Sequence, residues 1–135
     1  MNRTEFMPFA PIIRKEMASQ CIKSYINTDV SLNFMTATVD CTDQFQLNNP
    51  AVVHIDKTAR PQIVTEKSNY FIWHVLREWE NITSETSLVN TSFNVHEEPI
   101  ICDIDEGIKI LQNGVIDQLW FVNNDIVHVY SKKED

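Results

Sequence analysis

Two spacings of apolar residues run through this chain. Between residues 68 and 82, Phe71, Ile72, Val75, Leu76, Trp79 and Ile82 recur every three or four positions, which predicts an amphipathic helix with Ser68 as its N-cap. A second helix is expected from Ile104 to Asn113. There Asp103 and Glu106 stand at capping-box spacing, Ile104, Ile108 and Leu111 face inward, and Gly114 closes the helix. A further helical stretch covers Arg14 to Ile26, with Met17, Cys21 and Ile22 on one side.

Strand signals fill the gaps. The run from Phe6 to Ile13 is apolar and broken by Pro8 and Pro11, which suits an extended segment at a sheet edge. Asn33–Val39, Ala51–Ile55, Pro61–Thr65 and Ser87–Asn90 read as extended, with a polar loop over 40–50 and a polar turn at Asp56–Arg60. The tail predicts a hairpin, Gln118–Val122 and Ile126–Tyr130 around a turn at 123–125. Helices and strands alternate without repeats, linker or low-complexity tract. The expectation is one α/β (α+β) domain over 1–135, a mixed sheet with flanking helices.

Composition narrows the function. With 43% hydrophobic residues the chain can bury a core, and 11 basic against 19 acidic residues give a net charge of −8. That balance argues against a nucleic-acid partner held by phosphate contacts. No apolar run approaches a membrane span and no secretory signal is visible, so a cytoplasmic protein without a membrane partner is expected. Three widely spaced cysteines without a CxxC pair read as reduced thiols. With only Gly107 and Gly114 present, neither a GxGxxG nor a GxxxxGK[ST] phosphate loop can be written. Any nucleotide has to be held by side chains and ordinary backbone.

Four dispersed histidines, His54, His74, His96 and His128, lack metal-ligand spacing and read as surface or satisfied residues; His74 falls on the polar flank of its helix. Among the carboxylates Glu98 is the best candidate for chemistry, between a polar turn and the strand-like residues 99–101. Two polar segments carry more. Residues 56–60 (DKTAR) put a hydroxyl and two cations between apolar stretches, and residues 90–94 (NTSFN) put four hydrogen-bonding side chains at a strand end. Strand ends are where α/β domains hold ligands, and the arginine fork matches phosphate. Turn chemistry accounts for the same residues without a ligand.

Residues 53–62 (VHIDKTARPQ) resemble the THVDGTARVQ segment of the O-carbamoyltransferases of nodulation-factor and antibiotic biosynthesis. Residues 88–100 (LVNTSFNVHEEPI) are similar to their LLNTSFNVRGEPI, and residues 6–11 (FMPFAP) to their FRPFAP, all in family order. The resemblance implies a YrdC-like domain with a twisted mixed sheet, truncated at its N-terminal side. It also implies binding of ATP and carbamoyl phosphate to form a carbamoyl adenylate. A separate N-terminal domain or subunit, which carries the family's metal site, would then pass the carbamoyl group to a hydroxyl of a sugar or natural product.

By the same resemblance Arg60 is the phosphate clamp and Arg3, matching the arginine of a KxR signature, a second cation. Ser92 and Asn94 match the SxN signature as nucleotide or carbamoyl contacts, with Thr58, Asn90 and Glu98 beside them. Departures from the pattern are Met1 for the KxR lysine, Met7 for an arginine, Lys57 and Glu97 for glycines, and His96 for another arginine. A glycine at position 57 suggests a positive φ that lysine would strain. These losses support an alternative: a non-catalytic remnant that docks a larger subunit.

Overall fold

Strand β1 (Ala10–Arg14) is buried along its whole length and organises the first of two compact units, Met1–Thr91 and Ser92–Asp135. The structure, a computed structural model, describes residues 9–27, 30–94, 98–123 and 126–132. After β1 the first unit continues through α1 (Ala18–Cys21), β2 (Val39–Asp40), α2 (Asp43–Asn48), β3 (Thr58–Ala59), β4 (Gln62–Val64), α3 (Tyr70–Thr83) and β5 (Ser87–Asn90). β1 pairs in parallel with β4, Ile12 opposite Gln62, and antiparallel with β5, Ile12 opposite Leu88. The sheet is therefore mixed, in the order β4-β1-β5, and β2 with β3 forms a small separate ladder.

Alternation along β1 sends side chains to two cores. Ile13 joins Ala18, Cys21, Ile22, Leu32, Cys41, Phe45, Val52, Ala59 and Ile63, whereas Ile12 packs with Val64 and Leu76 under α3. β1 is thus the central strand and not the expected edge. Pro11 is tolerated there because it faces only β5, at Val89; pairing with β4 begins one residue later.

Several local expectations give way to packing. The stretch from Arg14 to Ile26 is helical only over 15–21, a single 3₁₀ turn and α1, because Ile22 turns extended to bridge Cys41. Residues 33–39 are not a strand: Val30–Phe34 forms a 3₁₀ turn pinned by buried Leu32, and only Val39–Asp40 pairs. The supposed polar loop over 40–50 contains α2, capped by the Thr42 hydroxyl accepting from the Phe45 N–H, with Phe45 in the core. Residues 50–52 form a 3₁₀ turn where a strand was expected, with Val52 buried and Ile55 exposed. Asn69, not Ser68, caps α3; Ser68 instead exchanges hydrogen bonds with Thr65. Of the apolar face of α3 only Leu76 is fully buried, while Trp79 and Ile82 reach solvent.

The second unit follows its sequence pattern closely. α4 (Ile104–Gln112) is capped by Asp103 accepting from Glu106 N–H, and the Glu106 carboxylate returns to the Cys102 N–H. Gly114 (φ +72°) ends it, with bonds from Gly114 N to Leu111 O and Val115 N to Ile110 O. Strands β6 (Gln118–Asn123) and β7 (Ile126–Ser131) form the expected hairpin in the register Trp120 opposite Val129. Trp120, Val122, Val127 and Val129 share one face of it and all are exposed.

Candidate functional site

Residues 55–57 form a three-residue loop between His54 and Thr58, from which the DKTAR segment runs into β3. His54 N–H donates to Thr58 O (2.7 Å) and Lys57 N–H to His54 O (2.9 Å), while Cys41 N–H of the buried cluster holds Lys57 O (3.1 Å). Such loops need their last residue left-handed, and Lys57 has φ +68°. The positive φ expected at this position is therefore present, and the loop keeps all its bonds despite the lysine. Ala59 points into the core, so its neighbours Thr58 and Arg60 lie on the outward side.

Thr58 is the centre of a small polar network. Its hydroxyl donates to Asp56 Oδ1 (2.7 Å), its N–H reaches the same oxygen (3.1 Å), and His54 Nδ1 lies 3.2 Å from the hydroxyl oxygen. These two bonds from Thr58, the side-chain one first, hold the Asp56 carboxyl below the usual carboxylate range. Neither His54 nor Asp56 stood out in the sequence; the signal was the 54, 56, 58 spacing across a turn, where ordinary turn chemistry looks the same. Arg60 is exposed, and no described residue forms an ion pair with it.

Asn90 bonds to Gln62, two residues beyond Arg60. At the end of β5, its side-chain amide donates to Gln62 Oε1 (2.7 Å) across β1 and lies 3.5 Å from Met35 Sδ. In the second unit Ser92, Asn94 and Glu98 come together on one loop. The Ser92 hydroxyl donates to Asn94 Oδ1 (2.6 Å), Asn94 Nδ2 donates to Glu98 O (2.9 Å), and Ile101 N–H closes on Phe93 O (3.0 Å). The loop presents an amide and a hydroxyl locked to each other, with the Glu98 side chain exposed. Arg3 lies outside the described residues, as do Met1, Met7, His96 and Glu97.

Among the described residues no three His, Cys, Asp or Glu side chains gather as metal ligands, and no helix is long and apolar enough to cross a membrane. His74 stacks on Tyr70 with ring centroids 4.2 Å apart and lies 3.5 Å from Glu66.

Residues 1–128 match the family described as Carbamoyltransferase C-terminus. The protein MJ1051 of Methanocaldococcus jannaschii is 31% identical over 123 residues, 91% of this chain and 23% of that protein. Nodulation protein NolO of Bradyrhizobium diazoefficiens is 33% identical over 118 residues, 87% of this chain and 21% of that protein. Nodulation protein U of Rhizobium tropici is 31% identical over 118 residues, 87% of this chain and 19% of that protein. The chain spans about a fifth of the length of the relatives it matches.

Proposed function

This chain belongs to the carbamoyltransferase C-terminus family, and from that membership we propose that it is the activating portion of a carbamoyltransferase, binding ATP and carbamoyl phosphate while a carbamoyl adenylate forms. The acceptor hydroxyl, of a sugar or natural product, belongs with a longer N-terminal polypeptide. By atom balance, one water releases phosphate from carbamoyl phosphate. The resulting carbamate oxygen attacks the α-phosphorus of ATP, and pyrophosphate leaves.

Negative charge on the phosphoryl oxygens rises in that step, so catalysis is mostly a matter of positioned cations and donors. Arg60 clamps phosphate and Arg3 supplies a second cation. Ser92 and Asn94 donate to nucleotide or carbamoyl oxygens, and Thr58, Asn90 and Glu98 are further contacts in this reading. The observation that carries the reading is Arg60: a guanidinium without an ion-pair partner among the described residues, next to a loop pinned by the Asp56–Thr58 bond.

The test is pyrophosphate release from ATP that depends on carbamoyl phosphate, with and without the N-terminal polypeptide of a relative. Calorimetry with ATP should show binding that weakens at least tenfold, about 1.4 kcal/mol, in Arg60→Ala. No ATP heat and no pyrophosphate in either mixture overturns the proposal.

A second reading has its own observation. Trp120, Val122, Val127 and Val129 put exposed apolar surface on one face of the hairpin, which favours a non-catalytic module docking onto the larger polypeptide. Co-purification with that polypeptide, lost in Trp120→Lys, together with absence of ATP binding would select it.

A further inference from the structure

One side-chain bond links the ends of the two polar segments. Residues 56–60 end at Arg60, two positions before Gln62, and residues 90–94 begin at Asn90, the last residue of β5. Asn90 Nδ2 donates to Gln62 Oε1 at 2.7 Å, although the whole of β1 lies between β4 and β5. Strands two apart in a sheet are separated by about 10 Å, a span that needs a side chain reaching in from each side.

Arg60, Gln62 and Asn90 stand on one face. Ala59, Pro61 and Ile63 are buried, whereas Arg60 is exposed and Gln62 half-buried. That is the alternation of extended chain, and the proline after Arg60 holds it extended. Arg60 and Gln62 therefore project to the same side. Val64, two residues further, packs with Ile12 and Leu76, as does Leu88, and Asn90 lies two residues beyond Leu88. In the ladder Gln62 is opposite Ile12 and Asn90 opposite Ala10, so the bond crosses β1 over the face that carries Ala10 and Ile12. Its direction is fixed as well. The Asn33 carbonyl can only accept, so Gln62 Nε2, 3.4 Å away, is the donor there and Gln62 Oε1 is left to accept from Asn90. Met35 Sδ lies 3.5 Å from the same Asn90 nitrogen, and the two contacts hold that carboxamide in one orientation.

We propose that Gln62 is a positioning residue of the nucleotide site: it holds the Asn90 carboxamide across β1, on the face where Arg60 stands, so that Arg60 and Asn90 act on one ATP molecule. This rests on the function proposed above, which gives contacts to Arg60 and Asn90 and no role to Gln62. An asparagine free to rotate has to be ordered when the ligand binds; one ordered beforehand avoids that cost.

The test is a double-mutant cycle read by ATP calorimetry on the full chain. Gln62→Met keeps the length of the side chain and removes the bond. It should weaken ATP binding about fivefold, the worth of one ordinary hydrogen bond. In an Asn90→Ala background the same substitution should add nothing, because the group it positions is gone. Equal losses in both backgrounds mean that Gln62 acts otherwise than through Asn90 and overturn the proposal, as does unchanged affinity in Gln62→Met. Both results leave the wider function standing, whereas a wild type that does not bind ATP overturns the two together. Should Gln62→Met not fold, side-chain amide spectra of the wild type decide. Joint shifts of the Gln62 and Asn90 signals on saturation with ATP support the assignment, and signals that stay in place sink it.

Discussion

Arg14, the last residue of β1, is ion-paired with Glu80 of α3, 66 residues further along the chain. The Arg14 side chain is 11% exposed and also lies over the Trp73 ring, its guanidinium carbon 5.3 Å from the ring centroid. The pair fastens the helix to the central strand at the point where β1 leaves the sheet. Removing Glu80 leaves the buried guanidinium only a long 3.9 Å contact with Glu16. Because Glu80 is itself partly exposed, Glu80→Ala should cost about 2–3 kcal/mol, less than a fully buried pair would. Urea unfolding checks this, and an Arg14→Met, Glu80→Leu double variant should recover most of the loss.

Lys57 offers a stabilising change. Its φ of +68° costs a side chain about 1 kcal/mol that glycine does not incur, partly offset by the greater freedom of glycine in the unfolded chain. Lys57→Gly should raise stability by up to about 1 kcal/mol with the His54–Thr58 loop bonds intact. Thermal unfolding reads the gain. A loss would mean that the lysine side chain contributes more than its backbone strain removes.

Gly114 is the opposite case. It already occupies φ +72° at the end of α4, and among the described residues the only side-chain atom near an added methyl group is Lys132 Nζ at 3.6 Å. Gly114→Ala should therefore be a purely backbone penalty of about 1 kcal/mol. The decline should appear as a lower unfolding temperature and faster amide exchange at the end of α4.

The thiols divide by burial. Cys21 and Cys41 are buried in one core and Cys102 is exposed. Burial pushes both core thiols up to about 11 from an ordinary 9.0. At pH 8 a disulfide reagent should titrate one thiol quickly in the native chain and all three cysteines in denaturant. The unfolded chain ionises its thiols first, so this contribution to stability is complete below pH 9 and falls as pH rises toward 11. A flat profile between those values would show that the two sulfurs are more hydrated than their burial indicates.

Elements whose signal is local could be read directly from the sequence. The Asp103 cap, the Glu106 return and Gly114 mark α4 within its own residues, and the hairpin announces itself through two apolar runs around a polar turn. α3 showed its periodicity for the same reason, although its cap moved one residue because Asn69, not Ser68, reaches the Ile72 N–H. The SxN and TAR segments were recognisable as short polar strings, and the loop geometry later explained the unusual position of Lys57.

The mixed α/β character, the two long helices, the hairpin and the family to which the polar strings belong are all legible in the residues alone, because each depends on spacing over a few positions. The tertiary structure decided that β1 is central, that Phe45 draws a polar stretch into a helix, and that Asp56, Thr58 and His54 share one proton network. Those outcomes depend on which neighbours bury a residue or complete its hydrogen bonds. Propensity over a short window differs by only tenths of a kcal/mol per residue, whereas burying one large apolar side chain is worth about 2 kcal/mol. Where the two disagree, long-range burial prevails, and no local pattern records it.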